Sequence, residues 1–163
     1  MDRNAALEVL YHTHASLRDR LPALATALHR LQRGVEDPRA EVAAISREVT
    51  LLRDQVEAHF RQEEANLFPL LVRTLPELAG PVSGLLAEHD DMRYLLNRLL
   101  AALERIPVEA GAVEEAFTCA SRYLRLLGDH SELEERTFFR YAREHLSDAS
   151  LETLAAALAP EGE

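Results

Sequence analysis

The chain contains no lysine and no tryptophan, a single cysteine, and only six glycines and seven prolines in 163 residues. Each scarcity excludes something. One cysteine, Cys119, cannot form an intrachain disulfide, and it rules out the cysteine-rich zinc frameworks. It falls in a stretch with helix-core spacing, so a buried thiol in a reducing compartment is the expectation. Few turn-forming residues, with aromatics at 6%, disfavour a many-turned β-sandwich. No window approaches the roughly 18 consecutive apolar residues needed to span a bilayer. The opening residues, MDRNAALEVLYHTH, break any leader-like apolar run with Asp2, Arg3, Asn4 and Glu8. A cytoplasmic protein with no membrane association is expected. All the basic residues are arginine, consistent with codon bias rather than mechanism. Against 18 of them stand 28 acidic residues, a net charge of -10, which argues against nucleic acid as a partner.

What the chain does have is hydrophobic residues, 47% of the total, spaced three and four apart. Leu7, Leu10, His14, Leu17, Leu21, Leu24, Leu28 and Leu31 mark one face of a helix. The spacing predicts an all-α protein. A first helix runs from about Asn4 to Arg33, with Pro22 as an interior kink and Gly34 as its stop. Asp37 caps a second, with Pro38 in its first turn, and Pro69 and Pro76 end it. A third follows Pro81 and Ser83 and closes before Pro107. A fourth begins near Val108 or Glu109 and ends near Leu146. A short fifth helix, capped by Ser147 or Asp148, lies within 148–159 and is ended by Pro160. Four long helices with short connectors imply an up-down-up-down four-helix bundle. The reading is a single domain over 1–163, with a core bundle at 4–146 and the fifth helix packed outside.

The two halves repeat. His14-Ala-Ser-Leu17-Arg18 matches His89-Asp-Asp-Met92-Arg93, and His59-x-x-x-Glu63-Glu64 matches His130-x-x-x-Glu134-Glu135. Residues four apart share a helix face, so each motif presents an imidazole and a carboxylate together. Heights agree in the first hairpin. In the second, His89 lies 18 residues before Pro107 and His130 lies 23 after. That excess of about 7 Å, at 1.5 Å per residue, calls for a loop beyond Pro107 or a bulge near Gly128. Four imidazoles and two carboxylates buried without partners would be expensive, since each unpaired polar group costs about 1–3 kcal/mol. A metal repairs the deficit. His14, His59, Glu63, His89, His130 and Glu134 are the candidate ligands, enough for two iron ions bridged by both glutamates.

At these residues the chain resembles the hemerythrin-like, HHE cation-binding family over about residues 4–146. The resemblance implies a four-helix bundle around a non-haem di-iron centre with an oxo or hydroxo bridge. His14 and His59 would serve one iron and His89 and His130 the other, with Glu63 and Glu134 bridging. Oxygen-carrying hemerythrins place a second histidine four residues after the third-helix one and an aspartate five residues after the last. Here those places hold Arg93 and Glu135. The four-His, two-Glu set looks more like the iron-centre repair and iron-sensing branches. The small ligand expected is therefore O2, NO or peroxide, bound or reacted with, in oxidative or nitrosative stress protection. A sensing or repair module without turnover is the alternative. Repair members commonly carry a cysteine-bearing N-terminal segment, not seen in these residues, so a thiol-dependent step is not expected.

Other metal chemistries lack their patterns. No Glu-x-x-His of the ferritin-like proteins and no His-Glu-x-x-His of the zinc proteases occurs. His29 and His145, near helix ends, are expected in solvent and His12, two residues from His14, faces elsewhere; Glu64 and Glu135, 100° around the helix from the proposed bridges, are expected in solvent too. Glu88, directly before His89, is expected to be solvated, an acceptor behind the ligands, or an occasional ligand near the open positions. Arg18 and Arg93 are expected in surface pairs. Leu17, Met92, Phe60, Phe68, Phe138 and Tyr141 are expected to pack around the site.

Overall fold

Asn4, at the N-cap, accepts the first helical hydrogen bond from Glu8 N–H at 2.8 Å, and helix α1 runs from Ala5 to Arg33. The computed structural model describes residues 4–159; the expected stop at Pro160 lies outside them. Helix α1 continues through Pro22 and ends at Gly34, whose φ of 99° only glycine adopts readily. Asp37 then caps α2, Pro38–Gln62, by accepting a hydrogen bond from Ala40 N–H at 3.1 Å, with Pro38 in the first turn. Asp37→Ala is expected to cost about 1 kcal/mol and to lower the thermal midpoint by about 2–4 °C, as calorimetry would show.

Pro69 does not end this rod. Residues Glu63–Leu67 form a π-helical turn, in which Phe68 N–H bonds to Glu63 C=O, and α3 continues from Phe68 to Thr74. A proline removes the hydrogen bond to the residue four before it and crowds that carbonyl. The wider π turn precedes Pro69 and shifts the bonding frame by one residue. The other hairpin repeats the device without a proline. Helix α4, Ala79–Glu104, follows a short 3₁₀ turn at Pro76–Leu78, so Pro81 lies inside its first turn rather than before it. Helix α5 spans Ala112–Leu133, a second π turn spans Glu134–Phe138, and α6 spans Phe139–His145. The five residues from Pro107 to Gly111 precede α5. They absorb the excess length, and Gly128 lies in unbroken helix. Helix α7, Asp148–Leu158, is capped by Ser147, whose hydroxyl accepts from Ser150 N–H at 3.1 Å.

Helices α1, α2, α4 and α5 pack in a ring, each against its chain neighbours, and α5 closes on α1. This is the up-down-up-down bundle, with two rods extended past their π turns. Two apolar clusters fill it. One contains Leu17, Val56, Phe60, Met92 and Leu127. The other contains Leu10, Leu67, Leu85 and Phe138, and α7 adds Leu151, Leu154 and Leu158 to it. Helix α7 is thus part of a core, against α1. Between the clusters, on every rod, stands a histidine. Among the described residues, no helix is long and apolar enough to cross a membrane.

Candidate metal centre

Each rod reaches the gap between the clusters with an apolar residue on either side: Leu10 and Leu17 bracket His14, and Leu85 and Met92 bracket His89. The 3.6-residue period makes this unavoidable, because seven residues are two turns of one face. On the other two rods His59 and Glu63, and His130 and Glu134, stack one turn apart. All six side chains are at most 2% exposed.

Their tips converge. His14 Nε2 and His59 Nε2 are 2.9 Å apart, and His89 Nε2 and His130 Nε2 are 3.1 Å apart. Glu63 divides its oxygens between these pairs. Its Oε1 lies 2.8 Å from His59 Nε2 and 3.7 Å from His14 Nε2, and its Oε2 lies 3.2 Å from His89 Nε2. Glu134 Oε1 lies 2.7 Å from His130 Nε2 and 3.7 Å from His14 Nε2. Two four-residue groups result, His14–His59–Glu63–Glu134 and Glu63–His89–His130–Glu134, each with donor atoms within 4.8 Å of one another. Both carboxylates belong to both groups.

For the two carboxylates, proximity is not hydrogen bonding. All four oxygens of Glu63 and Glu134 are buried without an aligned hydrogen-bond partner, a costly state for two carboxylates. Burial pushes Glu134 well above the usual carboxylate range, and the adjacent Glu63 pushes it further. Burial would raise Glu63 too, but His59, His14 and His89 around it hold it well below that range. Burial lowers the His130 imidazole to about 4 against the pull of Glu88, keeping it neutral with a free lone pair. Imidazole nitrogens and orphaned carboxylate oxygens aimed at common points are a divalent-cation donor set of borderline hardness. The residues present fit such a metal.

Around them lies a ring of carboxylates that the sequence reading placed in solvent. Glu135 Oε1 is 3.2 Å from His14 Nδ1, and Glu64 Oε1 is 2.8 Å from His89 Nδ1. Each comes from the opposite repeat. Glu88 Oε2 accepts from His130 Nδ1 at 2.6 Å, the acceptor alternative foreseen for it. These bonds place the proton on Nδ1 and free Nε2 to face the centre. Arg18 and Arg93 do pair with acids at the bundle surface, but with these same acids. Arg18 Nη1 donates to Glu135 at 3.0 Å, and Arg93 donates to Glu64 at 3.0 Å and to Glu57 at 2.9 Å. The signal available in sequence was the duplicated Glu-Glu pair, in which the second glutamate repeats as faithfully as the first. Phe60 lies face to face on His89 at 3.6 Å, and Phe139 stacks on His14 at 5.2 Å. Leu17, Met92, Phe60, Phe68 and Phe138 are buried as expected, with Tyr141 partly so. His12, His29 and His145 are exposed. Cys119 is buried, which raises its thiol pKa.

A family model, the hemerythrin HHE cation binding domain, matches residues 5–142. The chain belongs to this hemerythrin family. Among curated proteins it is similar to the iron-sulfur cluster repair protein YtfE of Escherichia coli O157:H7, 26% identical over 135 residues. The same protein of Cronobacter sakazakii is 27% identical over 135 residues. In both cases the match takes in 80% of this chain and 61% of the relative. The hemerythrin-like chain thus spans about three fifths of the length of these relatives. An iron centre in a helical bundle is the property the family and the buried His/Glu groups support together.

Proposed function

We propose that this hemerythrin-like domain holds two iron ions and binds or reacts with a small ligand, O2, NO or peroxide. His14, His59, His89 and His130 are the nitrogen ligands, and Glu63 and Glu134 bridge. The observation that carries this is the pair of buried four-residue groups that share both carboxylates. One cation would use only half of the imidazoles. Two use all four, and their four positive charges offset two carboxylates that have no other partner. Bound iron would supply reversible electron transfer and coordination places for a diatomic molecule or peroxide. The chain's own contribution is to aim six donors, fix the tautomers of His89, His130 and His14 from Glu64, Glu88 and Glu135, and exclude water with Phe60, Phe68, Phe138 and Phe139.

A second reading rests on the relatives, both iron-sulfur cluster repair proteins by name. In it the iron is exchanged or sensed rather than used for turnover, and a damaged iron–sulfur cluster is the target. Anaerobically loaded protein is expected to contain two irons per chain and, after air oxidation, to absorb in the near-ultraviolet through ferric charge transfer. Measured consumption of peroxide or NO then separates the readings: sustained consumption supports reactivity, and one stoichiometric event supports repair or sensing. A protein that stays colourless and iron-free after Fe(II) loading refutes both.

A further inference from the structure

The pseudo-two-fold is broken around the centre, and three of the breaks fall on one side. His14 corresponds to His89 and His59 to His130, so Thr13 stands where Glu88 stands in the other repeat. Glu88 accepts from His130 Nδ1 at 2.6 Å. The matching atom, His59 Nδ1, is buried with no hydrogen-bond partner, while Thr13 turns its hydroxyl back to Val9 C=O at 3.0 Å. By the same correspondence Ser131 takes the place of Phe60, whose ring lies flat on His89. Arg93 is clamped by Glu57, Glu64 and Asp90, whereas among the described residues its counterpart Arg18 is paired with Glu135 alone. His89 and His130 are therefore both anchored by carboxylates, and the ring on His89, at 3.6 Å, lies closer than that of Phe139 on His14, at 5.2 Å. His59 has no such anchor, and the carboxylate holding His14 is itself more lightly tied.

We propose that the two metal positions are unequal, the one formed by His14 and His59 being exchangeable and the one formed by His89 and His130 retentive. The inference rests on the two-iron reading above. An acceptor on the far nitrogen of a ligand imidazole raises its basicity and fixes its ring, and losing it weakens metal binding by about 10–100-fold. The structure makes that difference at one position through a single residue, Thr13 in place of a glutamate. One iron then stays as the resident ion while the other is available to leave or to be replaced.

The test is release of Fe(II) from the anaerobically loaded full chain into excess of a strong Fe(II) chelator. One equivalent is expected to leave about 10–100 times faster than the other. Thr13→Glu, which offers His59 Nδ1 the missing acceptor, is expected to slow the fast phase at least about tenfold toward the slow one. Glu88→Gln is expected to quicken the slow phase, and His59→Ala to remove the fast phase and spare the slow. Two equivalents leaving in one phase from the unaltered protein overturn the inference and leave the two-iron reading standing. So does a Thr13→Glu fast phase that is unchanged, or a His59→Ala protein that loses its slow phase. Uptake of fewer than two equivalents by the unaltered protein overturns both.

Discussion

Loading the metal-free protein with Fe(II) is expected to raise its thermal midpoint by about 15–30 °C. Without cations, four carboxylate oxygens are buried without partners, between two apolar clusters that offer them nothing. A ligand that binds only the folded chain stabilises it by about 4 kcal/mol per site at a thousandfold excess over its dissociation constant. Two sites give about 8 kcal/mol, and a domain of this size moves about 2–4 °C per kcal/mol. Calorimetry with and without Fe(II) measures the shift directly. A midpoint that stays within a few degrees would mean that the buried acids are satisfied in some other way, and the metal reading would fail.

Glu134→Gln should move stability and metal binding in opposite directions. In the metal-free protein Glu134 is pushed above its ordinary range by burial and by Glu63 beside it. A neutral amide of the same shape removes the cost of ionising a carboxyl beside Glu63 and can donate an N–H to Glu63. The substituted metal-free protein is therefore expected to be more stable by about 1–3 kcal/mol, the worth of relieving a buried unsatisfied polar group. Iron uptake is expected to collapse at both positions together, because Glu134 belongs to both four-residue groups. His29→Ala, on the exposed surface, should leave uptake unchanged. Lower metal-free stability combined with normal uptake would refute this role for Glu134. The trade has the sign seen where a site stores strain for its function.

The bundle and the candidate site were legible for the same reason. A buried helix face repeats every three to four residues, and His59–Glu63 and His130–Glu134 keep that spacing twice. Boundaries were less legible where local signals conflict. Pro69 reads as a stop, yet the rod continues, because a π turn needs only one residue more than an α turn and leaves little mark on the apolar pattern. The excess length of the second hairpin was visible from His89 and His130, but not that it sits before Ala112 rather than at Gly128. Glu64 and Glu135 were misplaced in solvent because their partners are on other helices. A 100° offset on one rod says nothing of the neighbour it faces, and each reaches across to the histidine of the opposite repeat.

Because the polar layer divides the interior into two separate greasy compartments, the cations would act as a rivet through the waist of the molecule. Each compartment alone is bounded by only a few turns of four rods, and every rod crosses the layer. An ion pair fastened there would make the end sealed by α7 and the opposite end open and close as one body. Its removal would leave a seam at mid-height.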